Sequence, residues 1–171
     1  MFGLVSWSHE DNLKSAFTIS DSMHVNAPIE RCFLLSTNIE LVQETLGMKP
    51  LSGKLSGLVG PDDLVLWAGW EFGLPQMHES KITAYERPVF FEDTMTRGRF
   101  RFFQHEHHFV EIGGHTLVQD KVRFALPLGF VGAAVAEHVM VPYIAKLLRQ
   151  RFFLLKRLAE GDGWKKYLSA S

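Results

Sequence analysis

The stretch FRFFQHEHHFVEIGGHTLVQDKVRFAL, residues 100–126, decides the fold. Gly113-Gly114 divides two runs of alternating apolar and polar residues, Phe100 to Ile112 and His115 to Leu126. Two consecutive glycines suit a two-residue hairpin turn, because both central positions can take positive φ. Such a turn sets Ile112 opposite His115, Phe109 opposite Val118, His107 opposite Asp120 and His105 opposite Val122. Phe109, His107 and His105, with their partners Val118, Asp120 and Val122, share one face, since strand side chains alternate with period two. Phe109, Val118 and Val122 mark that face as the apolar one, so His105, His107 and Asp120 are expected to look inward. A one-residue bulge would turn the whole set to solvent.

Upstream, further strands read as Leu64 to Phe72, Met77 to Arg87 and Val89 to Thr96, with a turn at Arg97-Gly98. Ala16 to Val25 alternates as an opening strand, and Asn26-Ala27-Pro28 stops it. Asn26 reads as a helix N-cap with Pro28 in the first turn of a short helix, Ile29 to Ser36. Asn38 caps a second, Ile39 to Leu46, which Gly47 ends. Downstream, Gly129 to His138 is a small-residue helix, and Pro142 kinks it or starts a new one. From there Ile144, Leu147, Leu148, Phe152, Leu155 and Leu158 fall at helical spacing, with Lys146, Arg149, Arg151, Lys156 and Arg157 mostly on the other side. Gly161 and Gly163 end that helix. Five consecutive hairpin-length strands make a meander whose curved apolar face needs a cover, and the long C-terminal helix is the element large enough to supply it. The division expected is a peripheral segment at 1–15, one domain at 16–160 and a loose tail at 161–171.

Composition agrees with one globular domain. The chain has 171 residues, 46% hydrophobic and 22% charged, which excludes fibrous and disordered classes. Fourteen Phe and four Trp can fill a core and leave rings to line a cavity. The net charge of -1 gives no field to steer nucleic acid, and no basic stripe with interleaved aromatics is present. The single cysteine, Cys32, forbids an internal disulfide and lies in an apolar helical stretch, which reads as a buried inert thiol in a cytoplasmic protein. The N-terminus has no basic stretch followed by an apolar one, so no signal peptide is expected. The longest uncharged run, Phe124 to Ala136, holds Pro127, Gly129 and Gly132 and is shorter than the roughly 20 residues a spanning helix needs, so no stable membrane insertion is expected.

The order strand, two helices, strands, long helix resembles the helix-grip fold of the START and polyketide-cyclase-like superfamily (SRPBCC, Bet v 1-like). The resemblance is carried by Gly73-Leu74-Pro75, Ser80-Lys81-Ile82-Thr83, Pro88, Phe91, Asp93, Gly98, His105-Glu106-His107 and Phe109. After the glycine turn it continues through Thr116, Val118, Asp120, Val122 and Leu126-Pro127-Leu128-Gly129. The pattern is similar to a bacterial branch described as cyclase/dehydrase or ligand-binding, and covers about residues 16–159. Phe103 stands where that branch has tryptophan. The resemblance implies an α+β domain: a curved antiparallel sheet of six or seven strands, in the order β-α-α-β meander-α, around the C-terminal helix. It also implies an internal pocket for a hydrophobic ligand, and it implies no particular reaction.

An imidazole facing a carboxylate has its tautomer fixed and its basicity raised, as a general acid/base pair requires. His107 and Asp120 are therefore the catalytic candidates; the alternative is a satisfied buried pair that sets register. Trp67, Gly69 and Glu71 share one face of their strand, and Ala68, Trp70 and Phe72 the other; either set can line the pocket, with Glu71 expected to be an exposed charge. The ligand-binding candidates are Trp67, Trp70, Phe103, His105, His107, Asp120 and Tyr143, with His138 near the mouth. Arg97, Arg99 and Arg101 read as a solvated face. His78-Glu79 and the run His105 to His108 invite a metal reading, and His105 and His107 can converge on an ion. No HExxH motif or cysteine pair supports them, so neither metal nor cofactor is expected. No serine elbow or phosphate loop is present.

Three functions fit. The first is binding of a lipid, polyketide or aromatic metabolite. The second is a cyclase/dehydratase or isomerase using the His-Asp pair. The third is an adaptor using Trp7, Trp164 and Tyr167. A homodimer is left open.

Overall fold

The computed structural model describes residues 16–168. It consists of β1 (Phe17–Val25), α1 (Ile29–Ser36), α2 (Ile39–Leu46), β2 (Lys49–Gly53), β3 (Leu64–Glu71), β4 (Leu74–Glu86), β5 (Phe90–Arg97), β6 (Phe102–Ile112) and β7 (His115–Ala125). The chain continues through α3 (Gly129–Val135), a π-helical turn over Ala136–Met140, α4 (Val141–Glu160) and the short α5 (Lys165–Leu168). The strands form one antiparallel seven-stranded sheet ordered β1-β7-β6-β5-β4-β3-β2. This is the expected α+β helix-grip architecture.

Gly113 and Gly114 both take positive φ, 58° and 84°, and the β6–β7 register follows: Ile112 faces His115, Phe109 faces Val118, His107 faces Asp120 and His105 faces Val122. The face carrying Thr116, Val118, Asp120, Val122 and Phe124 is buried. α4 packs across it with Ile144, Leu148, Phe152, Leu155 and Ala159.

Several local expectations change. Pro28, not Asn26, is the residue before α1, and the Asn26 N–H donates to the Glu160 carboxylate at 2.7 Å. Asn38 and Gly47 do cap α2: the Asn38 side chain accepts from the Leu41 N–H, and Gly47 is left-handed at φ 65°. β2 has no alternating apolar signal; it is a mostly exposed edge strand held by its antiparallel pairing with β3. Pro142 falls in the first turn of α4, but no break precedes it. Proline donates no N–H, and the π turn just before it takes up the register change within a run that stays helical from Gly129 to Glu160. That run is long and apolar enough by composition to cross a membrane, yet its α4 half supplies core residues to the sheet. Residues 161–168 of the tail are docked rather than loose. Trp164, Tyr167 and Leu168 pack on the core, the Asn38 side chain donates to the Tyr167 carbonyl at 3.3 Å, and the Tyr167 hydroxyl donates to Glu44 at 2.7 Å. The ends named for an adaptor therefore lose Trp164 and Tyr167 to the core; Trp7, with the rest of 1–15, lies outside the described residues.

The interior has two apolar halves. One joins α1, α2 and the C-terminal half of α4 to Phe91, Phe109 and Val118; the other joins Val122, Phe124, Ala136, Met140, Ile144 and Leu148. Phe33 centres the first, with its ring 5.3–5.6 Å from those of Tyr85, Phe91 and Phe109. Truncating this fully buried ring by Phe33→Ala should cost about 3–5 kcal/mol in urea unfolding, whereas Trp70→Ala, at a position 74% exposed, should stay within about 0.5 kcal/mol of wild type.

Candidate functional site

A cavity of about 200 Å³ lies between the sheet and α4. Its walls come from both apolar halves, among them Leu35, Ile39, Trp67, Phe91, Val122, Ile144 and Leu148. Phe100, Phe103, Tyr143, Met77 and Arg99 line the end where the residues become part-exposed or exposed. The structure settles which face of β3 looks inward: Trp67 is 4% exposed and lines the cavity, while Trp70 stands on the outer face with 74% of its surface in solvent. Phe103, His105, His107 and Tyr143 all line the cavity, and His138 does not. Glu71 is not a free surface charge. It accepts the Tyr143 hydroxyl at 3.1 Å beside the cavity, and burial together with this carboxylate pushes the Tyr143 phenol up to about 12. Of the three alternating arginines, Arg99 reaches the cavity and also donates to the Pro75 carbonyl at 2.7 Å.

The polar side of the cavity is built on three strands and α4. His105 and His107 alternate on β6 and therefore share a face; Asp93 on β5 is the register partner of His105, and Asp120 on β7 that of His107. Asp120 does not itself line the cavity. Its side chain is fully buried behind the imidazoles, where Oδ1 accepts from His107 Nδ1 at 3.0 Å and Oδ2 from Arg151 Nη1 at 2.5 Å. His105 Nε2 is 3.5 Å from Asp120 Oδ2, too distant for a good hydrogen bond. On the cavity side His107 Nε2 lies 3.2 Å from Asp93 Oδ2. The His107 ring stacks on Phe91 with centroids 4.0 Å apart and lies against His105 at 3.7 Å, which fixes its plane.

Burial pushes the Asp120 carboxyl up, but the Arg151 guanidinium and the His107 imidazole outweigh it and hold the group well below the usual carboxylate range. Asp93 behaves similarly: burial raises it, and the bond to His107 with the nearby His105 brings it below its ordinary value. Burial depresses the His105 imidazole, and does the same to His78, which lines the cavity against Phe103 with ring centroids 5.4 Å apart. The arrangement can orient a polar group, move a proton through His107, or hold a cation.

Asp93 and Arg151 are site residues that sequence reasoning misses. The role of Asp93 is visible only once β5 is aligned with β6, and Arg151 groups with the polar stripe of its helix.

Among solved structures, the chain is similar to the di-domain ARO/CYC protein BexL, with TM-score 0.70 and 16% identity over 88% of this chain and 52% of that one. It is also similar to a protein from Thermus thermophilus, with TM-score 0.66 and 16% identity over 90% of this chain and 99% of that one. Norcoclaurine synthase from Thalictrum flavum, solved in complex with dopamine and hydroxybenzaldehyde, gives TM-score 0.58 and 12% identity over 91% and 96%. No protein-family model matches the chain, nor does any curated protein. These likenesses establish a shared fold, a curved antiparallel sheet wrapped around a long C-terminal helix.

Asp120 ties its ionisation to stability. Its folded pKa lies below its unfolded one, so its contribution is complete above the unfolded carboxylate value and is lost as pH falls through the folded one. Asp120→Asn leaves the Arg151 charge buried without its partner and should cost about 3–5 kcal/mol at pH 7. Urea unfolding should show the gap between wild type and Asp120→Asn narrowing from about pH 5 to pH 3; a constant gap would mean the carboxylate charge contributes nothing.

Proposed function

We propose that this helix-grip chain takes up a small hydrophobic molecule in the cavity between sheet and α4, with the polar end of that molecule against His105 and His107. The observation that carries the reading is a preserved space of about 200 Å³ with mainly apolar walls and a convergent polar group of Asp93, His105 and His107. Ligand sites generally have that composition: apolar walls for affinity and a few convergent polar groups for orientation. The volume is below the roughly 300–1,000 Å³ of common ligand pockets, which favours an aromatic metabolite or small polyketide fragment over a full-length lipid. The structural neighbour holding dopamine and hydroxybenzaldehyde supports the same size class. A cytoplasmic setting accords with the single cysteine, Cys32, held buried as a free thiol.

A second reading, cyclase/dehydratase or isomerase chemistry, draws on one specific feature. His107 is held between Asp120 and Asp93 with its plane fixed by stacking, so it can take or give a proton at Nε2 with Asp120 compensating the charge behind it. The ARO/CYC and synthase neighbours belong with this reading.

Uptake of apolar fluorescent dyes and small aromatics tests the binding reading. Leu147, a part-exposed wall residue on α4, allows the space to be filled from the surface side. Leu147→Trp should weaken uptake by tenfold or more, about 1.4 kcal/mol, while far-UV circular dichroism stays native. Undiminished uptake would place the ligand elsewhere. For the catalytic reading, His107→Ala should abolish turnover of a candidate substrate, and retained turnover would remove the proposed mechanism.

A further inference from the structure

We propose that Asp93, His105 and His107 form a site for a divalent transition-metal ion at the polar side of the cavity. The three side chains each bring a donor atom to one place: these atoms all lie within 4.8 Å of one another. Asp93 Oδ2 is 3.2 Å from His107 Nε2 and 3.9 Å from His105 Nδ1. Zinc-ligand bonds of about 2.0–2.2 Å in tetrahedral geometry set donors roughly 3.3–3.6 Å apart. The two spacings to Asp93 Oδ2, 3.2 and 3.9 Å, fall on either side of that range.

The group behind the imidazoles is the stronger argument. Asp120 Oδ1 accepts the hydrogen bond from His107 Nδ1–H, and in that neutral tautomer Nε2 presents a lone pair toward Asp93. His105 turns Nε2 toward Asp120 Oδ2, at 3.5 Å, and Nδ1 toward Asp93 Oδ2, at 3.9 Å. One buried carboxylate thus orients the His107 imidazole so that its free nitrogen converges with a second carboxylate, the outer-shell pattern that orients histidine ligands on metals. Arg151 occupies Asp120 at 2.5 Å and keeps it in this supporting place rather than among the ligands. A proton shared by His107 and Asp93 satisfies that pair but leaves His105 Nδ1 at 3.9 Å from Asp93 Oδ2, beyond hydrogen-bond reach. A divalent ion in place of this proton would engage His105 Nδ1 together with Asp93 Oδ2 and His107 Nε2.

Two imidazoles and one carboxylate suit Zn²⁺, Co²⁺ or Fe²⁺, and are a poor match for Ca²⁺ or Mg²⁺, which prefer all-oxygen sites. The ligands stand on adjacent strands of one sheet, so the scaffold is rigid. Three protein ligands leave at least one coordination position, and that position faces the cavity. An oxygen of the bound molecule, such as a phenolate, enolate or carboxylate, would occupy it. Only this last step rests on the proposed uptake of a hydrophobic ligand. The absence of an HExxH motif is no obstacle, because the third ligand comes from a neighbouring strand rather than from the same segment.

The test uses untagged, chelator-treated full-length protein. Titration with Zn²⁺ by calorimetry and with Co²⁺ by visible absorption should each saturate at one equivalent, and Co²⁺ should show the ligand-field bands of a low-symmetry nitrogen/oxygen site. Asp93→Asn and His105→Gln should weaken Zn²⁺ by more than about 100-fold, and Asp120→Asn by about 10–100-fold. His108→Ala, at a part-exposed ring bonded to Glu106, should leave it unchanged. Failure of the wild-type protein to bind either ion stoichiometrically overturns the proposal without recourse to any variant. So does binding that Asp93→Asn and His105→Gln leave intact in natively folded protein. Dye uptake by the metal-free protein is measured in parallel: uptake without metal binding removes the metal site and leaves the cavity reading standing, and the reverse separates them the other way.

Discussion

The buried ion pair between Asp120 and Arg151 is the constraint on which the rest of the interior depends. It divides the core. On β7 it lies between Val118 and Val122, and on α4 between Leu148 and Phe152, so each apolar half ends where the pair begins. Two charges taken from water carry a large desolvation cost, and a well-packed apolar pair of similar volume would commonly be as stable or more so. The pair is tolerated because its geometry is close and because Asp120 is further bonded to His107. Without Asp120, the His107 imidazole would lose the buried acceptor behind it, and the polar side of the cavity would lose its orientation.

The cavity follows from the same division. A sheet curved around a helix closes fully only when side chains of matching volume meet along its whole length. Here the imidazoles lie against Phe91 and each other rather than reaching across to α4. Arg151 is drawn to Asp120 instead of filling the gap. The space left is lined by Leu148 and Ile144 from the helix and by Trp67 and Val122 from the sheet, with Asp93, His105 and His107 converging on it from β5 and β6. A polar cluster open to such a space is poorly hydrated, which strengthens whatever it binds.

The central part of this site is legible in the sequence because the Gly113-Gly114 turn fixes register locally. Once Ile112 faces His115, the pairing of His107 with Asp120 is arithmetic, and the neighbouring Phe109 and Val118 identify the inward face. What is not legible depends on contacts remote in sequence. Asp93 enters through the β5–β6 pairing, whose register no short turn sets, since Arg97 and Phe102 are separated by a connecting loop. Arg151 belongs to a stripe that includes exposed Arg149; only the seating of α4 distinguishes the inward guanidinium, whose side chain is 13% exposed. The inward face of β3 is ambiguous in sequence because both faces carry a tryptophan. Trp164 and Tyr167 read as terminal and free, but Asn38, Glu44 and Arg31 provide partners for them that only the folded chain brings near.

An unfilled apolar space meeting an inward-facing histidine pair is the feature that binding, proton transfer and metal capture all require. A crystal structure under xenon pressure examines both parts at once, because xenon enters dry apolar cavities and is visible by its scattering. Xenon density bordered by Val122, Ile144 and Leu148, with His107 still bonded to Asp120 behind it, is the predicted result. Side chains occupying that space, or the His107 ring turned out to water, would contradict it.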